Sequence, residues 1–221
     1  RWPVCLWYRQ SYLDKWRQWN KFSKFSGGAM VEKCCHYFDL FNVAAGSRPK
    51  KVYCAGGMDV NFVDFEQDGE RADVIDNSFT IVEFENGVRA CLNFCMFAYQ
   101  PDVQEMMIVN GDKGGLYAFD HPQHRIRISA NSPHESPREI HLEVKKQIES
   151  SGHSGADYYE ILNFIAAIRR RSPAPLPTVE DGVWAVAAGV AAERSIRSGE
   201  PVYLKDVFEQ SGANAFGASG V

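Results

Sequence analysis

The segment from residue 49 to residue 144 alternates strand-like stretches with short turns, and this pattern limits the possible folds most strongly. Asn86-Gly87 separates two apolar, alternating stretches, which is the strongest short-range signal for a β-hairpin. The turn "GDKG" at 111–114 separates two more strand-like stretches and predicts a second hairpin. Strands joined by such short turns pair antiparallel. The segment therefore predicts about seven strands in a mostly antiparallel sheet.

Helical periodicity precedes and follows this segment. We predict one helix over 27–46 and two more over 157–171 and 178–199. Thr178 and Asp181 form a capping-box-like start for the last of these. The order of elements predicts an α+β fold with an open, mostly antiparallel β-sheet and helices packed on one face of it.

The length of the chain suits one substantial domain with a proper core. The chain has 221 residues, and we expect a single α+β domain over 1–210. Residues 211–221 are rich in Gly, Ala and Ser, so we expect a flexible tail there.

The charge and cysteine content exclude several classes of partner. The net charge is −4, and the longest basic run, 169–171, closes a predicted helix, so nucleic acid is not expected as a partner. No apolar run is long enough to span a bilayer, so no membrane partner is expected. The six cysteines form no CxxC pattern, which indicates reduced core residues and a cytoplasmic protein.

A polar stripe runs along the predicted helix 27–46. With about 100° per residue, His36 lies about 40° from Glu32, and Asp39 lies about 20° from Glu32 on the other side. Met30 and Cys34 fall on the opposite, apolar half, so we expect the cysteines of this helix to be packing residues.

The spacing of the stripe leaves three interpretations open. It can be a solvated helix face with an ion pair between positions i and i+4. It can be part of a metal site, although such a site needs ligands from other elements and the HExxH pattern is absent. It can also be an acid–base pair, in which a carboxylate one turn away orients an imidazole that exchanges a proton with a substrate.

Five segments, taken in order, resemble the C-terminal domain of Gfo/Idh/MocA-type oxidoreductases, and especially their inositol 2-dehydrogenase-like members. The first segment resembles the family's glycine–glycine–carboxylate–histidine–aspartate helix. The others resemble the strand after that helix, a hairpin, a G-x-K-G turn and the closing helix pair. The segments are "SGGAMVEKCCHYFDLF" (26–41), "RPKKVYCAGG" (48–57), "DNSFTIVEFENGVRACL" (76–92), "IVNGDKGGLYAF" (108–119) and residues 151–204.

The resemblance implies an activity and two catalytic residues. Enzymes of this family pass a hydride between NAD or NADP and a hydroxyl carbon of a sugar or polyol. The match makes His36 the acid/base that acts on this hydroxyl, and it makes Glu32 the partner of His36. Family members usually carry Asp at the position of Glu32.

The candidates for substrate binding are Asp39, His153, Trp19 and Asn20. Asp39 matches the next acidic position of the family, and His153 matches the substrate side of the loop "SGHSGAD". Trp19 and Asn20 precede the catalytic-type helix and are candidates for the wall of a polyol pocket. For His153 the alternative is an ordinary loop histidine, and for Trp19 it is aromatic core packing.

The family's nucleotide-binding Rossmann domain is missing from this chain. The resemblance implies NAD or NADP for the full-length protein. No GxGxxG follows a predicted strand, so no cofactor is expected for this chain alone. The chain starts at Arg1, without Met, in an apolar strand-like stretch, which indicates that further residues precede it. We expect this chain to be inactive without the missing domain.

Two further expectations concern association. The predicted strand at 89–96 carries apolar residues on both faces, which predicts a homo-oligomer formed through the sheet face. The alternative to an enzyme domain is a non-catalytic scaffold or oligomerisation protein derived from the same family.

Overall fold

The computed structural model of the chain describes residues 18–98, 105–120, 124–130, 132, 134–142, 155–169 and 177–212. Within these ranges the chain has the predicted α+β fold, with antiparallel sheets and helices packed against one of them. The fold class is therefore confirmed. Residues 213–221, most of the predicted tail, lie outside the described ranges.

A short 3-10 helix and six α-helices occur in the described residues. The 3-10 helix is Gln18–Lys21, and the α-helices are α1 (Ser23–Ser26), α2 (Ala29–Glu32), α3 (Cys35–Ala45), α4 (Ala156–Ile168), α5 (Val179–Ser198) and α6 (Leu204–Ser211). The predicted helices at 157–171 and 178–199 correspond to α4 and α5. The capping box is also confirmed, because the Asp181 N–H donates to the Thr178 side chain and the Thr178 N–H donates to the Asp181 carboxylate.

Ten strands connect and flank these helices in the described residues. They are β1 (Pro49–Gly57), β2 (Glu66–Gln67), β3 (Glu70–Arg71), β4 (Asn77–Phe84), β5 (Arg89–Cys95), β6 (Glu105–Gly111), β7 (Gly114–Asp120), β8 (Arg125–Ala130), β9 (Arg138–His141) and β10 (Val202–Tyr203). Both predicted hairpins are confirmed, since β4 pairs with β5 around Asn86-Gly87 and β6 pairs with β7 around 111–114.

The strands form two four-stranded sheets and a two-stranded ribbon, and every pair is antiparallel. The first sheet has the order β10-β1-β4-β5, the second has the order β6-β7-β8-β9, and β2 pairs with β3. The sequence predicted one sheet. Within the described residues the hydrogen bonds separate into two sheets, because β5 pairs only with β4 and β6 pairs only with β7.

The core lies between the first sheet and the helices α2, α3 and α5. Residues on one face of β4 and β5 are buried, and the residues between them point to the other face. The buried face of β5 and its continuation is the apolar set predicted from the alternation: Ala90, Leu92, Phe94 and Met96. This burial fixes the register, because a one-residue slip would expose the whole set.

One side-chain contact closes a gap at the edge of the first sheet. β10 has only two residues, which pair with Lys51 and Val52 of β1, so it stops short of Cys54. The Cys54 N–H instead donates to the Ser195 hydroxyl of α5, with a donor–acceptor distance of 2.9 Å, and both residues are buried. Burial raises the pKa of the Cys54 thiol to about 11, which makes this cysteine an unreactive packing residue.

The five described cysteines form no disulfide bond with one another. None of the helices in the described ranges combines the length and the apolar character that a membrane crossing requires.

The buried carboxylate of Asp76 holds the loop that follows β1. It accepts the backbone N–H groups of Asp59, Val60 and Asn61 at 3.0, 2.8 and 2.7 Å. Burial raises the pKa of this carboxyl, but the three donors and the Asn77 amide outweigh burial and hold the pKa below its usual value. The carboxylate thereby provides the hydrogen-bond acceptor that these three backbone N–H groups would otherwise find in a helix or a sheet.

Asp76→Asn should lower the free energy of unfolding at neutral pH by about 2–3 kcal/mol, because it removes charge-assisted hydrogen bonds to three backbone donors. The folded-state pKa of Asp76 is lowered, so its contribution is complete above the unfolded-state pKa and is lost as the pH falls through the folded-state pKa. The difference between wild type and variant should therefore shrink below about pH 4. Urea unfolding across pH measures this difference, with Asp64→Asn as the exposed control. A constant difference down to pH 2 would contradict it.

Candidate functional site

The helix predicted over 27–46 is interrupted in the structure. Its residues form α2 and α3, with a turn at 33–34 between them. The Ala29 carbonyl accepts the N–H groups of both Lys33 (3.0 Å) and Cys34 (3.1 Å), which widens the turn, and α3 then starts at Cys35. Such wide turns interrupt the α-helical ladder and recur at functional sites. The interruption lies between the two predicted catalytic residues, Glu32 and His36.

Two glycines allow α2 to approach α5 very closely. Gly28 has a φ of +94°, and a Cβ atom there would lie 2.1 Å from the Glu193 carboxylate. A Cβ atom on Gly189 of α5 would lie 2.5 Å from the Met30 carbonyl oxygen. The two positions therefore require glycine, and they let the segment that carries Glu32 lie directly on α5.

Glu193 stabilises the contact between α2 and α5. Its Oε1 accepts the Met30 N–H at 3.1 Å, and its Oε2 lies 3.7 Å from Nη2 of Arg197. Burial raises the pKa of the Glu193 carboxyl, while the Met30 N–H and Arg197 oppose this effect. Glu193 is thus a positioning residue for α2, and through α2 for Glu32.

Glu32 and His36 lie on the outer side of the segment. His36 is exposed, whereas Glu32 is partly buried and forms an ion pair with Lys33 at 2.9 Å. Burial raises the pKa of the neighbouring Cys35 thiol, and the charge of Glu32 raises it further, so the carboxylate lies close to Cys35. The opposite half is buried as predicted, including Met30, Cys34 and Phe38. An exposed imidazole one turn from a carboxylate can exchange a proton with a bound hydroxyl group.

Asp39 lies between His36 and the start of α5. Burial raises the pKa of its carboxyl, the nearby Asp181 raises it further, and His36 opposes both. Asp39 Oδ1 is buried and has no hydrogen-bond partner among the described residues. This oxygen has almost no accessible surface, so a ligand hydroxyl reaches it only if a neighbouring side chain moves.

A pocket of about 400 Å³ opens beside Asp39. Asp181, Trp184 and Arg48 also line it. The Arg48 guanidinium lies 4.9 Å from the centre of the Trp184 ring and pairs with Glu180. The Trp184 indole N–H is buried and, like Asp39 Oδ1, finds no partner in the described part of the chain. Asp39 and Trp184 thus line the same pocket, but these two atoms are themselves closed to solvent.

The other predicted substrate-binding residues do not join this group in the described structure. Trp19 lies in a different pocket, with Lys24, Gln67 and Glu70 among its lining residues. Asn20 is buried beside it in the 3-10 helix. His153 lies outside the described residues. The structure therefore places His36 near Asp39, with Glu32 on the other side of the turn at 33–34, and the roles of all six residues stay predictions.

Sequence reasoning missed Gly28, Gly189 and Glu193 as the residues that hold this segment. A signal for two of them was present, because Ala185, Gly189 and Glu193 recur every four residues on one face of α5. Two small residues followed by a carboxylate on the packed face indicate close approach of another backbone. In the described residues, no three His, Cys, Asp or Glu side chains are arranged to hold a metal ion.

Comparison with known proteins shows what this chain is similar to. Residues 5–204 match a family described as the C-terminal alpha/beta domain of the Gfo/Idh/MocA oxidoreductases. The chain is 22% identical to the myo-inositol 2-dehydrogenase of Thermotoga maritima over 187 residues, which covers 83% of this chain and 51% of that protein. It is 28% identical to the uncharacterized oxidoreductase YrbE of Bacillus subtilis, with coverage of 81% and 49%. The chain thus spans about half of the length of these relatives.

A solved structure shows the same fold. The levoglucosan dehydrogenase crystallised with NADH and levoglucosan superposes with a TM-score of 0.72 at 14% identity, and the match covers 91% of this chain and 57% of that one. At this identity the likeness concerns the fold alone.

Proposed function

Because the chain belongs to the Gfo/Idh/MocA oxidoreductase family, of which it spans the C-terminal alpha/beta domain, we propose that it is the substrate-binding part of an NAD(P)-dependent dehydrogenase acting on a hydroxyl group of a sugar or polyol. The names of the relatives support this substrate class: one is a myo-inositol 2-dehydrogenase, and one structure contains NADH and levoglucosan.

The observation that carries the proposal is the exposed imidazole of His36, which lies near the Asp39 carboxylate and four residues after the partly buried Glu32. His36 takes the proton from the substrate hydroxyl during oxidation and returns it during reduction, so it serves as general base and general acid. Glu32 orients the imidazole and favours its protonated form. Asp39 lines a pocket, and its carboxylate accepts a hydrogen bond from a neighbouring hydroxyl of the substrate. Trp19, Asn20 and His153 stay candidates for further substrate contacts.

The described residues do not fit a dinucleotide cofactor. All strand pairs in the described ranges are antiparallel, whereas dinucleotide-binding domains use parallel βαβ units with a glycine-rich turn. We therefore assign the cofactor to another domain of the full-length protein. A bound nicotinamide would supply or accept the hydride.

The test uses the protein expressed with the residues that precede Arg1 in its reading frame. We expect substrate-dependent reduction of NAD or NADP with at least one member of a panel of cyclic polyols and sugars. Activity confined to hydroxy acids or amines would contradict the substrate class. Lack of any reduction with this panel would contradict the proposed activity.

The 221-residue chain alone should not bind NADH or NADPH, because its described strands offer no dinucleotide cradle. Isothermal titration calorimetry at micromolar concentrations measures this binding, with the full-length protein as the positive control. Specific micromolar binding to the chain alone would overturn the assignment of the cofactor to another domain.

We also propose that the uncovered face of the first sheet forms a homo-oligomer interface. This face, called here the outer sheet face, carries four large exposed side chains: Tyr53, Phe79, Ile81 and Tyr203. Phe79 is 61% exposed in the middle of β4. Adjacent exposed apolar residues of this kind on a sheet mark an interaction surface.

Phe79→Glu should convert the oligomer to a monomer, because it places a charge at the centre of the outer sheet face. Light scattering at tens of micromolar measures the mass, and Val60→Glu is the control, since Val60 is similarly exposed in a loop. A monomeric wild-type protein would contradict this proposal.

A further inference from the structure

Helix α4 is the most exposed apolar element in the described part of the chain. Its 13 residues include no buried one. Ile161, Phe164 and Ile168 are 60%, 59% and 66% exposed. Four further large apolar side chains of the helix are also exposed: Tyr158, Tyr159, Leu162 and Ile165.

These side chains cover too much of the helix for a surface position. With about 100° per residue they span an arc of about 220°, whereas a surface helix carries an apolar stripe about 100° wide. A helix that is apolar over so wide an arc belongs between two packed surfaces. We propose that α4 is the docking element for the nucleotide-binding domain of the full-length protein, a conclusion that rests on the proposed function.

The length of the relatives supports this occupant. The chain matches about half of the length of two relatives, and the matched family is described as a C-terminal domain. The unmatched half therefore includes a preceding segment of domain size. Such a segment is tethered to α4 in one polypeptide, so a small contact is enough to hold it in place.

A second copy of the chain is a poorer occupant. A stable interface between separate chains uses about 20–30 residues on each side. Helix α4 has 13 residues, and no other element of the described structure makes an extensive contact with it that would extend the surface. A lipid surface is also disfavoured, because the charged residues of α4 are Asp157 and Glu160, whereas helices that lie on membranes carry Lys and Arg on their polar side.

Hydrogen exchange of the full-length protein, expressed with the residues that precede Arg1, tests the proposal. The α4 amides of the wild type should exchange at least tenfold more slowly than those of a Phe164→Glu variant, at both 1 and 20 μM protein. Val60→Glu, a change of the same kind at an exposed loop residue, should leave the exchange of α4 unchanged. Circular dichroism checks that the variants are folded.

Each other outcome would overturn the proposal. Protection of α4 that rises with protein concentration would indicate a second copy. Protection only with added anionic vesicles would indicate a lipid surface. Equal exchange in wild type and variant, or a reading frame without a preceding domain, would also overturn it.

The same variant separates this proposal from the proposed activity. If α4 docks the cofactor domain, Phe164→Glu should lower kcat at least tenfold while the Kd for NADH stays within about twofold. Slow exchange of α4 in a protein that oxidises no polyol would leave the docking intact and refute only the activity.

Discussion

Replacing His36 with alanine in the full-length protein should lower kcat by about 10²–10⁴, the usual contribution of a positioned acid or base. The imidazole is exposed on the outer side of α3 and lies one turn from Glu32, so it can reach a substrate hydroxyl without a rearrangement of the core. The Kd for NADH should barely change, because we propose that the imidazole acts on the substrate and that the cofactor binds to another domain. Stopped-flow and steady-state kinetics across pH measure both quantities.

Two control variants sharpen this experiment. His141→Ala removes an exposed histidine of β9 and should leave kcat unchanged. Glu32→Gln should cost less than His36→Ala and should move the pH–rate profile to lower pH, because loss of a nearby negative charge favours the neutral imidazole. If His36→Ala keeps wild-type turnover, the polar stripe is only a solvated helix face.

Gly189→Ala should lower the free energy of unfolding by about 1–3 kcal/mol, the usual cost of overpacking a close contact. The added Cβ would lie 2.5 Å from the Met30 carbonyl oxygen, and this backbone atom cannot move without moving α2. Because α2 carries Glu32, the displacement should also lower kcat. Urea unfolding and steady-state kinetics measure the two effects.

The same helix offers a matched control. A Cβ atom added to Gly182 of α5 would meet no non-neighbouring atom of the described residues within 4 Å. Gly182→Ala should therefore stabilise the protein by up to about 1 kcal/mol through helix propensity. A loss of stability for Gly189→Ala together with a gain for Gly182→Ala would show that the contact with α2, and not helix propensity, causes the loss. A destabilisation of equal size at both positions would contradict the close contact.

Local patterns in the sequence were sufficient for most of the fold. Asn86-Gly87 identified the β4–β5 hairpin, because glycine readily adopts the left-handed backbone that this turn has at Gly87, with a φ of +80°. Thr178 and Asp181 identified the start of α5, because the capping box is made within four residues. These predictions depend on contacts between near neighbours, and such contacts are visible in a sequence.

Contacts between distant residues were not predictable in the same way. The hydrogen bond from Met30 to Glu193 joins residues that are 163 positions apart. No pattern near Glu32 indicates it. The candidate site shows the same division: His36 and Asp39 lie within one helix, as predicted, whereas the turn that separates them from Glu32 was not predicted, and the pocket with Trp184 depends on how α5 lies against α3.

The hydrogen bond between Met30 and Glu193 also limits when, during translation, this part of the chain can complete its fold. At 5–20 residues per second, Glu193 leaves the ribosome about 8–33 s after Met30. During that time the backbone of α2 lacks its buried carboxylate, and β1 lacks both Ser195 and β10. The segment that carries Glu32 and His36 therefore cannot reach its final position during early translation. It has to wait until nearly the whole chain has emerged, so truncation after α4 would leave Glu32 and His36 on an unsupported segment.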